Sequence, residues 1–167
     1  MSVLADRLDS LRVRATARGG RIAAELHHRT EISLVFGGGS YHRYDERLLE
    51  QDLASLARAL WAGRMKAYYQ ALSEAFEEPV TGEPRPVTPR DVEYRNARDR
   101  IVARGESSGG HIVISVRGMR DWTVRIAPGT VTALTADEFA DEAAAAGGAL
   151  VRDQFAQIRD LKDRVYG

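Results

Sequence analysis

Four histidines are the side chains of this 167-residue chain that suggest metal binding or proton transfer. The absence of cysteine excludes disulfides and thiolate chemistry. His27 and His28 are adjacent at the end of a predicted strand, where successive side chains point to opposite faces, so we expect them not to chelate one ion. His42 falls in a loop and His111 lies far along the chain. Since no third ligand is evident, we expect structural roles for the histidines and no metal site.

Three other patterns in the sequence resemble parts of catalytic or cofactor-binding sites. The loop 37–40 is rich in glycine, but it lacks the lysine of a phosphate-binding P-loop and the spacing of a dinucleotide fingerprint. Asp137, Glu138, Asp141 and Glu142 fall in the first turn of a predicted helix, where carboxylates complement the helix dipole. No serine stands in a nucleophile elbow and no Ser/His/Asp set stands out by spacing. We therefore expect neither an enzyme nor a cofactor.

Arginine is the residue type that suggests nucleic-acid binding. The 24 basic residues are balanced by 24 acidic ones, so composition does not predict a strongly basic DNA-coating protein. Arginines nevertheless concentrate in the first helix and first strand of each half of the chain. The candidate DNA-binding residues are Arg7, Arg12, Arg14, Arg18, Arg21, Arg98, Arg100 and Arg104. Alternate arginines on an edge strand face the same way and would follow phosphates, but edge strands also carry charge to prevent aggregation, and both interpretations stay open.

Aromatic residues mark a second candidate surface. Trp61, Tyr68 and Tyr69 lie on a predicted long helix, and Phe155 lies on its counterpart in the second half. They have no obvious basic environment, so stacking on nucleic-acid bases is not indicated. We interpret the four residues as core or interface anchors and therefore as a candidate interaction surface.

An internal repeat with a spacing of 90 residues organises all of these features. The identities include Gly19, Gly20 and Ile22 with Gly109, Gly110 and Ile112, Arg14 with Arg104, and Ala54, Ala59 and Leu60 with Ala144, Ala149 and Leu150. Apolar positions keep the same register to the end of the chain. The repeat predicts one unit at 1–76 and another at 92–167. Residues 77–91, which hold four of the five prolines, are expected to be a semi-rigid linker.

Each unit is predicted to be α+β, with the order helix, three strands, helix. Short helices are expected after Ser2 and after Thr88, since both residue types are common N-caps. Alternating apolar residues and glycine turns predict antiparallel meanders of strands at 12–18, 21–27 and 31–36, and at 101–106, 111–116 and 121–126. Long amphipathic helices are expected at 45–76 and, after a capping box at Thr135, to the end of the chain. Gly147 and Gly148 within the second helix predict close packing or a kink.

The second unit resembles the YbaB/EbfC family of nucleoid-associated proteins over about residues 92–165. The resemblance is carried by Gly110, Ile112, Ile114, Val116 and Gly118, by Val-Arg-Ile-Ala-Pro at 124–128 and by Thr-Ala-Asp-Glu-Phe at 135–139. It implies two helices flanking a small antiparallel sheet, a homodimer, and sequence-tolerant DNA binding. Actinobacterial relatives of that family include proteins associated with type VII secretion. A duplicated chain of this kind is expected to form the dimer within itself.

Two functional hypotheses follow from these observations. The first is a non-enzymatic, YbaB-like nucleoid-associated protein that binds DNA weakly through its arginines. The second is a protein-interaction adaptor, accessory to type VII secretion, that does not bind DNA. No apolar run approaches the roughly 20 residues that span a bilayer, and residues 2–11 lack the apolar core of an export signal. We therefore expect no membrane partner and a cytoplasmic location.

Overall fold

The computed structural model describes residues 3–167 apart from the side chain of Arg18. The N-cap expected at Ser2 lies outside the described residues. The fold is α+β and contains two three-stranded antiparallel sheets with helices. The elements in chain order are α1 (Val3–Asp9), β1 (Val13–Ala17), β2 (Ile22–His27), β3 (Glu31–Phe36), α2 (Glu46–Phe76), α3 (Pro89–Arg98), β4 (Val102–Glu106), β5 (Ile112–Arg117), β6 (Asp121–Ile126), α4 (Thr130–Ala133) and α5 (Ala136–Tyr166).

Side-chain caps fix where the longer helices begin. The carboxylate of Asp45 accepts a hydrogen bond from the Leu48 amide at 2.8 Å at the start of α2. Capping boxes start α3, at Thr88 with Asp91, and α5, at Thr135 with Glu138. Because α3 already begins at Pro89, the linker is shorter than the predicted 77–91 and ends at residue 88.

The two sheets have the same internal register. In the first sheet Ile22 pairs with Phe36 and His27 with Glu31; in the second Ile112 pairs with Ile126 and Arg117 with Asp121. The strand orders are β1-β2-β3 and β4-β5-β6. The middle strands are therefore β2 and β5, and the other four are edge strands. The predicted meanders and the two long helices are thus confirmed.

Each long helix contacts both sheets. Helix α2 packs on β1 and β6, while α5 packs on β4 and β3. The buried apolar residues of both halves consequently form one continuous core. The fully buried ring of Phe139 on α5 lies 5.8 Å from Phe36 and 5.7 Å from Tyr41, measured between ring centroids. A carboxylate oxygen of Glu50 on α2 accepts the Ile126 amide of β6 at 3.0 Å and so occupies part of that sheet edge.

Glycines allow α5 to approach the sheets closely. A Cβ at Gly147 would lie 2.7 Å from the Cδ1 atom of Ile32, and one at Gly105 would lie 1.9 Å from the Ala146 carbonyl oxygen. Helix α5 runs without interruption through Gly147 and Gly148. Of the two predicted alternatives, close packing is therefore the one found.

No helix within residues 3–167 combines the length and the apolar character that crossing a membrane requires.

Candidate binding groove

An open groove of about 780 Å³ lies between the second half of α2, the middle of α5, the linker and the turn between β5 and β6. We call this feature the groove. Helix α2 contributes Trp61, Met65, Tyr68, Tyr69, Leu72 and Phe76, and α5 contributes Gln154, Phe155 and Ile158. Its volume falls within the roughly 300–1,000 Å³ range of ligand pockets, which are typically apolar with a few polar groups.

All four aromatic residues that the sequence marks as an interaction surface line the groove: Trp61, Tyr68, Tyr69 and Phe155. The rings of Tyr68 and Tyr69 meet edge to face, with centroids 5.3 Å apart. Burial raises the pKa of the Tyr69 hydroxyl, and the nearby carboxylate of Glu83 raises it further, so this hydroxyl stays a hydrogen-bond donor at neutral pH. The groove thus offers aromatic faces beside a neutral donor.

Gln154 is the polar side chain that the groove leaves without an internal partner. The residue is only 4% exposed, and its Oε1 atom is buried without a hydrogen-bond partner. Leaving a buried acceptor unsatisfied costs about 1–3 kcal/mol.

Arg64 occupies the position on α2 that corresponds to Gln154 in the 90-residue register. Its guanidinium lies over the rings of Trp61 and Phe155, with centroid distances of 5.5 and 5.2 Å. It also donates a hydrogen bond to the carbonyl oxygen of Arg29 at 2.9 Å. Burial lowers the pKa of Arg64, and the charge of Arg29 lowers it further. Arg64 thus packs on two aromatic rings and makes a hydrogen bond, whereas the Oε1 atom of Gln154 is buried without a partner.

Arg98 belongs to the groove rather than to an open basic surface. It lines the groove and contacts the carboxylate of Glu83, which also lines it, and its second nitrogen lies 3.3 Å from Asp99. The hydrogen bond to Glu83 is the main reason why the pKa of Arg98 is raised. Its charge is therefore compensated within the protein.

The other candidate DNA-binding arginines are spread over several elements. Arg12 and Arg14 both lie near Glu25, at 3.5 and 3.6 Å, while Arg104 is 3.2 Å from Glu106. Arg7 on α1 pairs with Glu74 at 2.9 Å. Arg100 is exposed after α3, and Arg21 is half-buried before β2. The side chain of Arg18 lies outside the part of the chain that the structure describes. Carboxylates adjoin Arg7, Arg12, Arg14 and Arg104 and reduce the positive charge available to phosphates.

The expectation that His27 and His28 point to opposite faces is wrong. Strand β2 ends at His27, and His28 takes a left-handed conformation with φ of 46°, so the alternation of a strand does not extend to it. The two rings meet edge to face with centroids 5.1 Å apart. One potential ligand atom from each of His27, His28 and Glu31 lies within 4.8 Å of the others. Glu31 is therefore a potential third ligand, which the sequence did not reveal.

The other two histidines have different surroundings. His42 is exposed and its ring lies 6.0 Å from the ring of Tyr41. The Nδ1 atom of His111 lies 2.8 Å from the carboxylate of Glu142, which also accepts the Gly109 amide at 3.0 Å. Glu142 thus does more than complement the helix dipole, because it fastens the β4–β5 turn to α5.

A second, smaller cavity of about 70 Å³ lies inside the core. Its lining combines residues of both sheets and both long helices, among them Leu34, Leu56, Ile114 and Leu150. The indole Nε1 atom of Trp122, which also lines it, is buried without a hydrogen-bond partner. Apart from that atom the lining is apolar, as expected for a packing defect of the core.

Comparison with protein-family models, curated proteins and solved structures finds no match to this chain.

Proposed function

We propose that this protein is a non-enzymatic interaction adaptor that holds an apolar segment of a partner protein in the groove. The observation that carries the proposal is the convergence of Trp61, Tyr68, Tyr69 and Phe155 on one opening. Aromatic residues at the centre of a concave, desolvated surface are typical of binding hot spots.

A peptide segment has the chemistry that this opening needs. Apolar side chains of such a segment would cover the aromatic rings. The linker already places main-chain groups at this position: the amide of Val80 donates to the Oγ atom of Ser73 at 2.8 Å, and Val80 lines the groove. A polypeptide can therefore satisfy its main-chain groups against α2 here.

The test is selection of peptides from a phage-displayed library on the intact protein, followed by titration of the selected peptides. The Trp122→Phe variant leaves Trp61 as the only tryptophan, so its fluorescence reports on the groove. We expect apolar peptides that bind in the micromolar range or tighter and lose at least tenfold in affinity with Tyr69→Ala or Phe155→Ala. The control is Val35→Ala, on the exposed face of β3. Equal affinities in groove and control variants, with unchanged melting temperatures, would refute the proposal.

DNA binding is the second candidate function, and the placement of Arg14 and Arg104 favours it. They occupy corresponding positions on the edge strands β1 and β4, and their side chains are 79% and 57% exposed. Binding through them would weaken steeply with salt. An Arg14→Glu/Arg104→Glu variant should lose duplex binding while Arg43→Glu keeps it. Absence of duplex binding at low salt would exclude this function, whereas peptide binding in the groove should change little with salt.

The proposed architecture for either function is a tandem pair of YbaB-like units that form a pseudo-dimer within one chain. Corresponding elements support it: α2 and α5 start and end 90 residues apart, and each packs on the first strand of its own half and the last strand of the other. A partial test is deletion to residues 1–76, which should not fold as a monomer because half of its core would be missing. A stable monomeric fragment would contradict the pseudo-dimer.

A further inference from the structure

The turn between β2 and β3 brings together three metal-binding side chains that the adaptor function does not use. We propose that His27, His28 and Glu31 bind one divalent transition-metal ion of the zinc and nickel class, with coordination positions left open to water or to a ligand from another molecule. Imidazole with one carboxylate is a ligand set that such ions accept.

The distance between two of the ligand atoms fits this ion class. Nδ1 of His27 lies 3.3 Å from Oε2 of Glu31, which is its cross-strand partner in the sheet. Two ligands at zinc–nitrogen and zinc–oxygen distances of about 2.1 Å on a tetrahedral ion are about 3.4 Å apart. The Nδ1 atom is also shielded from solvent without a hydrogen bond of acceptable geometry. An ion placed between these atoms would satisfy both of them.

The backbone conformation of the turn places the imidazole of His28 beside the other two ligands. His28 and Arg29 have φ values of 46° and 70°, and the Thr30 amide closes the turn by donating to the His28 carbonyl oxygen at 2.9 Å. The corresponding positions of the second sheet, Gly118 and Met119, are also left-handed. A left-handed conformation favours glycine. In the first sheet His28 stands at the position that corresponds to Gly118. The centroid of its imidazole ring lies 5.1 Å from that of His27.

Two cations adjoin the cluster and limit its affinity. The guanidinium of Arg29 is paired with the carboxylate of Asp9, and Arg64 donates to the Arg29 carbonyl oxygen. Their positive charges oppose the binding of a dication, although Asp9 compensates the charge of Arg29. With three protein ligands and an exposed turn, we expect a dissociation constant in the micromolar range rather than the tighter binding of closed structural zinc sites.

The second sheet serves as an internal comparison. Arg117, Gly118 and Asp121 stand where the first sheet has His27, His28 and Glu31, so the same turn there lacks imidazole ligands. The pair of His111 and Glu142 has a short contact of 2.8 Å, but it is not part of any cluster of three such ligands among residues 3–167. Metal binding is therefore expected at one site per chain.

The experiment is calorimetric titration of Zn²⁺, and separately of Ni²⁺, into the intact untagged protein after chelator treatment. The decisive variant is His28→Gly, which removes a ligand but places the residue that the left-handed backbone favours, so the fold is retained. We expect one ion per wild-type chain and at least a tenfold loss of affinity in His28→Gly and in Glu31→Gln. His42→Ala, which removes an exposed histidine outside the cluster, should bind as the wild type does.

Thermal unfolding supplies an independent readout of the same site. Zn²⁺ should raise the melting temperature of the wild type and of His42→Ala but not that of His28→Gly, which in chelator should melt no lower than the wild type. Zinc affinity in His28→Gly within twofold of the wild type, or no binding by the wild type, would overturn the proposal. Neither result would affect peptide binding in the groove, so the two proposals fail separately.

Discussion

The hydroxyl group of Tyr41 donates a hydrogen bond to the carbonyl oxygen of Val131 at 2.9 Å, and the two residues stand 90 positions apart in the chain. The same hydroxyl lies 3.0 Å from the Leu134 carbonyl oxygen. Tyr41 therefore fastens the end of the first sheet to the segment that precedes α5.

Replacement of Tyr41 by phenylalanine should destabilise the protein by about 1–3 kcal/mol, because it removes the one hydroxyl proton that the Val131 and Leu134 carbonyl oxygens share, at a residue that is 3% exposed. Urea-induced unfolding measures the change. Tyr94→Phe is the matched control, since Tyr94 is half-buried and its hydroxyl makes no hydrogen bond with residues 3–167. An effect of Tyr41→Phe no larger than that of the control would show that this contact does not hold the two halves together.

Replacement of Gly105 by alanine should cost at least about 2 kcal/mol, because the new methyl group would overlap the Ala146 carbonyl oxygen and force α5 away from β4. Gly38→Ala is the control, since a Cβ there would meet nothing within 4 Å and the backbone does not require glycine. Its effect should stay within about 0.5 kcal/mol. Thermal and urea unfolding measure the stability of both variants. If Gly105→Ala and Gly38→Ala were equally stable, the packing constraint at Gly105 would be overestimated.

The carboxylate of Asp91 should titrate well below its usual range. A hydrogen bond from the Tyr166 hydroxyl, aided by the Thr88 and Val87 amides, lowers the pKa of Asp91 to about 2, and the same bond raises the pKa of Tyr166 to about 12. Since the folded-state pKa is lowered, this contribution to stability is present above the ordinary value of 3.8 and is lost as the pH falls toward 2.

The Tyr166→Phe variant should therefore raise the pKa of Asp91 measured by NMR titration. The pKa of Glu138, which hydrogen bonds to Thr135 lower, should stay unchanged in the same sample. An unaltered Asp91 pKa in the variant would mean that Tyr166 does not hold α3 against the end of α5.

The side-chain oxygen of Gln154 should not contribute to folding stability. We expect Gln154→Met to leave the free energy of unfolding unchanged or to raise it by up to about 1 kcal/mol, because a buried unsatisfied acceptor is removed. Gln157→Met, one turn away, is the control: its amide donates to the Val102 carbonyl oxygen at 2.9 Å, so that variant should be destabilised by about 1 kcal/mol. Clear destabilisation by Gln154→Met would point to a structural role instead.

The sequence predicted the two meanders and the long helices because each depends on local information. Alternation at Ile112, Ile114 and Val116 identifies a half-buried strand, and glycine pairs identify its turns. The capping box of Thr135 and Glu138 marks the start of α5 through residues that are close in sequence. The segment Thr130–Ala133 was not predicted as helix, since four residues are too few for a periodic pattern.

The sites depend on information that is not local. Phe155 joins Trp61 in the groove only because α2 and α5 run beside each other, which no spacing along one helix reveals. The sequence does not predict that Glu31 lies beside both histidines, because the expected strand alternation extends one residue too far, to His28. A usable signal was present in the repeat: glycine at position 118 marks a left-handed turn, and the same backbone at position 28 removes the alternation.

The linker forms part of the wall of the groove through Val80, Glu83 and Pro84, and a chain with two halves has only one such connection. Because the linker borders the groove on one side only, we expect an incoming segment to bind in one direction and the complex to contain one segment per chain.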